Sequence, residues 1–166
     1  MKEKIKFYQA LASDVPEITK LYEQAKGTEY CTWNEHYPNP EITQGDLERN
    51  ALFCMKTEDG EIVGAISIDD DKEVENLPCW SEELKPGVEI ARLVVKKEWQ
   101  NKKIAANMLE NLLKVIADRG FKNAHYLVDK NHKKALAAYK SLNFVRVGES
   151  SLYDGNWWCY EREIKR

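Results

Sequence analysis

Apolar and polar residues alternate through residues 5–11, the two-residue period of a half-buried strand. Ser13-Asp14-Val15-Pro16-Glu17 follows with a capping residue, an early proline and a first-turn acid, which predicts a helix start. Val15, Ile18, Leu21, Tyr22 and Ala25 then recur at helical spacing and give that helix one apolar face to lay on a sheet. Tyr30 to Pro38 is an aromatic segment that Pro38 and Pro40 separate from a short helix expected over 43–50. The runs 52–56 and 61–68 are strand-like and flank Glu58-Asp59-Gly60, whose Asp-Gly step suits a tight antiparallel turn.

From 69 to 87 the chain turns acidic and loses its period, with Pro78 and Pro86 as breakers, so a surface loop carrying Trp80 is expected. Pattern resumes with a strand over 89–95 and a strong helix over 104–119, in which Met108, Leu109, Leu112, Leu113 and Ile116 share one side and Gly120 is the stop. A strand over 125–128 comes next. Strand, helix and strand in so short a span imply a right-handed parallel crossover. A further helix over 133–142 ends at Asn143, and strands near 144–149 and 157–163 flank Asp154-Gly155 as a closing hairpin. There is no internal repeat.

At 166 residues with 43% apolar content, this pattern predicts one domain, residues 1–166, with a substantial core. The formal charge of −3 supplies no broad basic field, which argues against a nucleic-acid partner. The N-terminal residues lack the pattern of a signal or transit peptide and no segment has the apolar run of a membrane helix, so a cytoplasmic location away from membranes is the expectation. Cys31, Cys54, Cys79 and Cys159 are scattered without a CxxC pair, as reduced structural thiols are, and no metal site is expected.

Two segments can carry chemistry. Residues 88–106 place a strand, a short polar turn and a helix start in that order, an arrangement that aims backbone N–H groups and the positive end of a helix dipole at an anion such as phosphate. On pattern alone, Lys96, Lys97, Lys102 and Lys103 are accounted for more simply as a solvated surface. In 131–144, Asn131, Ala135 and Tyr139 fall four apart, so that a polar side chain, a small residue and a phenol share one helical stripe along which a thin ligand can lie. Ordinary packing is the simpler account of Ala135 and Tyr139 taken alone.

The order of elements over nearly the whole chain, with the phosphate turn and an N-x-x-x-A-x-x-x-Y helix ending in Leu-Asn-Phe, resembles the GNAT superfamily of acetyl-CoA-dependent N-acetyltransferases. The resemblance implies an α/β fold: a mixed, mostly antiparallel twisted sheet with a central parallel βαβ unit and helices on both faces. The family turn usually reads Q/R-x-x-G-x-G/A, and Gln100, Asn101, Lys102, Lys103, Ile104 and Ala105 occupy those places. Lys103 stands where glycine is usual; an ordinary helical conformation, with its ammonium offered to phosphate, is the expectation.

Carried over residue by residue, the resemblance implies that Leu93, Val94 and Val95 hold the pantetheine arm of acetyl-CoA and that turn amides from Gln100 to Ala106 hold its pyrophosphate. Asn131 and Ala135 would line the arm, and Tyr139 would protonate the departing thiolate. Glu89 matches the general base of members whose strand also reads Glu-Ile-Ala, and the Leu93 amide is the candidate donor to the oxyanion. His36, His125 and Glu35 are rival bases. Tyr30, Trp33 and Tyr37 lie in the loop that borders the acceptor site in the family, and with Trp80 and the Trp157-Trp158 pair they are candidates to line an acceptor pocket, although aromatic residues also serve as packing anchors and that is the simpler account of at least half of them. The expected activity is acetyl transfer to a primary amine, of a small molecule, by direct attack in a ternary complex. Transfer to a protein amine, or a non-catalytic acyl-CoA sensor, are the alternatives; a homodimer is compatible with either.

Overall fold

The computed structural model describes residues 4–29 and 31–165. Strands β1 (Ile5–Gln9), β2 (Leu52–Thr57), β3 (Ile62–Asp69), β4 (Gly87–Val95), β5 (Asn123–Asp129), β6 (Val145–Ser150) and β7 (Trp157–Glu163) form one sheet in the order β1-β2-β3-β4-β5-β7-β6. The pairs β1–β2, β2–β3, β5–β7 and β6–β7 are antiparallel, whereas β4–β5 is parallel. Helices are α1 (Val15–Ala25), α2 (Pro40–Glu48), α3 (Lys72–Glu75), α4 (Ile104–Asp118) and α5 (Lys133–Ser141). The mixed, mostly antiparallel sheet and the β4–α4–β5 crossover are those expected from the sequence.

Helix α2 starts three residues before the expected Thr43, and the reason is local: the Asn39 side chain accepts a hydrogen bond from the Ile42 N–H at 3.0 Å, with Pro40 in the first turn. Two compact units divide the chain. The first comprises the described residues up to Ile68 together with Ala91–Met108. Its core gathers Ile18, Leu21 and Tyr22 of α1 with Leu52 and Cys54 of β2, Ala65 of β3 and Val94 of β4. Gly64 on β3 is needed for close approach: a Cβ there would stand 3.0 Å from Met108 Cε and 3.1 Å from the Val94 carbonyl oxygen.

The second unit comprises Asp69–Ile90 and the residues from Leu109 onward. The expectation of a surface loop over 69–87 is corrected here. That segment forms α3 and a short 3-10 turn, Glu82–Leu84, and it buries Val74 and Trp80 in a cluster with Cys159. The Trp80 indole N–H donates to the Val74 carbonyl at 2.7 Å, so the ring is a core residue with its one polar group satisfied. Across β5, α5 and β7, Tyr126 stacks on Tyr139 and Tyr160 at centroid distances of 3.6 and 5.7 Å.

Candidate active site

In the first unit the candidate residues run from β4 through the turn into α4. Leu93 and Val95 are half-buried and Val94 is buried. Arg92, just before them, has φ 51°, a left-handed conformation that breaks the regular extension of the strand. Beyond β4 the Gln100 side chain donates back to the Val95 carbonyl at 3.3 Å, and Lys96 and Trp99 both reach the Glu61 carboxylate, at 3.0 and 3.3 Å. Gln100, Asn101, Lys102 and Lys103 are exposed, while Ile104 is buried and Ala105 and Ala106 are half-buried. The Lys103 carbonyl accepts from the Asn107 N–H at 3.1 Å, so the amides of Ile104, Ala105 and Ala106 belong to the first turn, where the helix supplies no acceptor. Lys103 itself has φ 64° and Asn101 the same. The ordinary helical conformation expected of Lys103 is therefore wrong: this lysine takes the left-handed geometry that a glycine takes without strain.

The same unit contains a buried ionic cluster that the sequence did not reveal. Arg92 donates through Nε to Asp46 Oδ2 at 2.9 Å, through Nη2 to Asp46 Oδ1 at 2.8 Å and through Nη1 to the Tyr37 hydroxyl at 2.9 Å. Asp46 also accepts from Ser67 Oγ at 2.9 Å and from Arg49 at 2.6 Å. Tyr37 thus ties the aromatic loop to β4. Trp33 packs edge-on against Tyr22 at 5.4 Å, so it staples the loop to the core. Tyr30 lies outside the described residues. Glu35 and His36 are both solvated, with side chains 85% and 86% exposed, and form no enclosed site.

In the second unit, Glu89 sits on β4 in register with His125 of β5, and His125 in turn with Glu161 of β7, so all three side chains share one sheet face. All three are buried. His125 Nε2 lies 2.8 Å from Glu75 Oε1, and the imidazole stacks on Trp80 at 4.4 Å. That partnership places His125 in a structural pair. Close to this face, Tyr153 donates to Asp71 at 2.7 Å; that bond first, then burial and the neighbouring carboxylates of Asp71, Glu73 and Glu89, raise its pKa above the ordinary phenol value.

Only Ala135, half-buried, and Tyr139, buried, lie on α5; the exposed Asn131 stands in the turn before the His132 cap, which corrects the expectation that all three share one helical stripe. The Asn131 N–H is held by Asp129 at 2.7 Å, and the His132 side chain caps the helix by accepting from the Ala135 N–H at 3.3 Å. Burial raises the Tyr139 pKa above the ordinary phenol value, so the group holds its proton at neutral pH. Trp157 donates to the Leu152 carbonyl at 2.7 Å, while Trp158 lies beneath Lys130 and Arg146 at 4.2 and 4.1 Å. The cysteines are free, and burial pushes Cys54 and Cys159 up to about 12, which removes them as nucleophiles.

A family model described as "Acetyltransferase (GNAT) family" matches residues 16–144, most of the chain and both candidate segments. The chain belongs to this family. It is an acyltransferase of the GNAT type, and acetyl-CoA is the donor that GNAT enzymes use. Solved structures share the fold at low identity. An N-acetyltransferase from Staphylococcus aureus Mu50 is 16% identical with a TM-score of 0.76, covering 98% of this chain and 99% of its own. The yncA structure from Salmonella typhimurium, solved with its cofactor acetyl-CoA, is 15% identical with a TM-score of 0.77, at coverages of 98% and 95%. The ribosomal-protein-S18-alanine N-acetyltransferase of Escherichia coli is 15% identical with a TM-score of 0.73, at coverages of 98% and 96%.

Within this GNAT chain, the exposed turn and the acceptor-free first turn of α4 have the chemistry a pyrophosphate needs. Among the described residues, no group of three His, Cys, Asp or Glu side chains is placed to hold a metal ion, and no helix is long and apolar enough to cross a membrane.

Proposed function

We propose that this GNAT enzyme acetylates a primary amine of a small molecule by direct attack in a ternary complex, as a single domain. The observation that carries this reading is the buried Glu89, on the sheet face of His125 and Glu161, in a neighbourhood where Asp71, Glu73 and Glu89 act together on Tyr153. Such a concentration of carboxylates favours a cationic acceptor, and an alkylammonium with a reference pKa of about 10.4 must lose a proton before it attacks. Glu89 takes that proton, directly or through a water.

Acetyl-CoA supplies the activated acetyl group as a thioester. Leu93, Val94 and Val95 hold its pantetheine arm, with the Leu93 amide facing the charge that develops on the carbonyl oxygen; the left-handed Arg92 immediately before it redirects the backbone at this point. Amides from Gln100 to Ala106 hold the pyrophosphate, with the Lys102 and Lys103 ammonium groups beside them. Asn131 and Ala135 border the arm. Tyr139 holds its proton as a hydrogen-bond donor to the leaving sulfur, and its raised pKa makes donation, rather than complete transfer, the larger part of its role. Trp33 and Tyr37 shape the acceptor side through the loop they anchor.

The test is thiol release from acetyl-CoA over a panel of small amines and peptide N-termini, alongside calorimetric binding of acetyl-CoA. Small-amine turnover that exceeds peptide turnover is expected. Peptide turnover alone would assign a protein acceptor, and acetyl-CoA binding without turnover on any amine would assign a sensor.

A further inference from the structure

The second unit contains a pocket that the acetyl-transfer residues leave unused. It opens at the starts of β4 and β5, has a volume of about 330 Å³, and is lined by Glu75, Trp80, Lys85, Gly87, Asn123 and His125 among others. Two buried atoms there have no hydrogen-bond partner among the described residues: His125 Nδ1 and Asn123 Oδ1, on residues that are each 1% exposed. Asn123 spends its amide N–H on Glu161 at 2.9 Å, which leaves its carbonyl oxygen as an open acceptor, and His125 Nε2 lies 2.8 Å from Glu75 Oε1, which leaves Nδ1 at the pocket wall. Gly87 keeps space beside that nitrogen, since a Cβ there would stand 3.1 Å from Nδ1 and 3.4 Å from Asn123 Cβ.

The open Asn123 carbonyl oxygen, with the Glu75 carboxylate and the Trp80 ring on the same lining, describes a site for a cationic donor such as an ammonium. Lys85, on the lining, is already drawn to Glu82 at 2.7 Å. A lone water would meet the same atoms, but the volume is about ten times the roughly 30 Å³ that a water occupies. Gly87 and Glu89 lie on the same face of β4, two residues and hence about 6.6 Å apart. Five bonds of about 1.5 Å in a zigzag, from one nitrogen to the other of a four-carbon diamine, span that distance.

Resting on the reading in which Glu89 receives the acceptor's proton, we propose that this pocket binds the distal ammonium of a short aliphatic diamine whose other amine is acetylated. The test compares 1,4-diaminobutane with 1-aminobutane on the full chain, by thiol release and by calorimetry. The diamine should show a KM and a Kd lower by about tenfold or more. Gly87→Ala, which sets a methyl group against His125 Nδ1, and Glu75→Gln, which removes the charge from a partly exposed position, should each bring the diamine close to the monoamine value without lowering Tm appreciably. Equal constants for the two amines, or a diamine advantage that survives both substitutions, would overturn the proposal while leaving acetylation of small amines intact. Calorimetric binding of the diamine that Gly87→Ala abolishes, with no thiol release from any amine, would keep the pocket and remove the acetylation reading.

Discussion

Each compact unit buries a polar cluster, and the two differ in how completely they are satisfied. In the first, the two oxygens of Asp46 receive Nε and Nη2 of Arg92, Nη2 of Arg49 and Oγ of Ser67, while the third nitrogen of Arg92 finds the Tyr37 hydroxyl; the Tyr22 hydroxyl buried nearby is the group there with no partner of hydrogen-bond geometry among the described residues. In the second, Glu161 is well supplied by Asn123 and by the backbone and hydroxyl of Ser81, yet Asn123 Oδ1 and His125 Nδ1 are buried with no partner among the described residues. A closed network fixes geometry, because removing any member strands the others. An open one keeps hydrogen-bonding capacity in reserve, and it sits on the sheet face that carries Glu89. The first cluster therefore reads as scaffold for β4 and the aromatic loop, whereas the second is where the proposed ammonium pocket lies.

The largest effect that sharpens this contrast belongs to the closed network. Asp46→Ala removes the carboxylate that binds Nε and Nη2 of the buried Arg92, a change that costs about 3–5 kcal/mol. Urea unfolding should show a large drop in midpoint. A loss below about 1 kcal/mol would mean that the pair contributes little and that Arg92 has an alternative partner.

Glu89→Gln comes next and acts on turnover. If Glu89 is the base, kcat/KM should fall by about 10²-fold, equivalent to about 2.7 kcal/mol, with the deficit greatest at lower pH, where the acceptor is most fully protonated. Stability should change much less than in Asp46→Ala. A pH profile that overlays the parent would place the base elsewhere.

Tyr126→Phe reverses the sign. The ring keeps its stack on Tyr139 at 3.6 Å, while a buried hydroxyl without a partner is removed, so stability should rise by about 1 kcal/mol. A loss of similar size by urea unfolding would show that the hydroxyl, on the opposite face of β5 from His125, is satisfied in solution.

The sequence disclosed the elements and their order because those depend on short-range pattern: the Val15–Ala25 helix and the long α4 fall within a residue or so of expectation. It made the candidate turn visible because Gln100 to Ala105 are contiguous. It did not disclose the Asp46–Arg92 pair, whose members are 46 residues apart and carry no local signal. The same holds for the face shared by Gly87, Asn123 and His125, which exists only through the parallel register of β4 and β5. The segment that carries Trp80 gives a loop signal because it is acidic and aperiodic, although Val74, Leu77 and Trp80 are spaced to reach one core. His132, the α5 cap, could have been found from its place directly before the helix.

The smallest effect concerns Lys103, where backbone and side chain make separate demands. At φ 64° a lysine carries a left-handed penalty of roughly 1–2 kcal/mol that glycine avoids, offset by the roughly 0.4–1 kcal/mol that glycine loses through the greater freedom of the unfolded chain. Lys103→Gly should therefore stabilise the fold by about 0.5 kcal/mol in urea unfolding. Its effect on acetyl-CoA should have the opposite sign. Lys102 is drawn over the Trp99 ring at 5.3 Å, which leaves the exposed Lys103 ammonium as the more adaptable charge beside the first turn of α4. A cation at a helix N-terminus is unfavourable unless an anion offsets it. Loss of that charge should weaken acetyl-CoA binding and flatten its dependence on salt, since one screened contact has gone. Calorimetry at low and moderate salt separates the two contributions. A more stable mutant that binds acetyl-CoA as tightly as the parent would show that Lys103 carries the strain of the glycine position without assisting the phosphate.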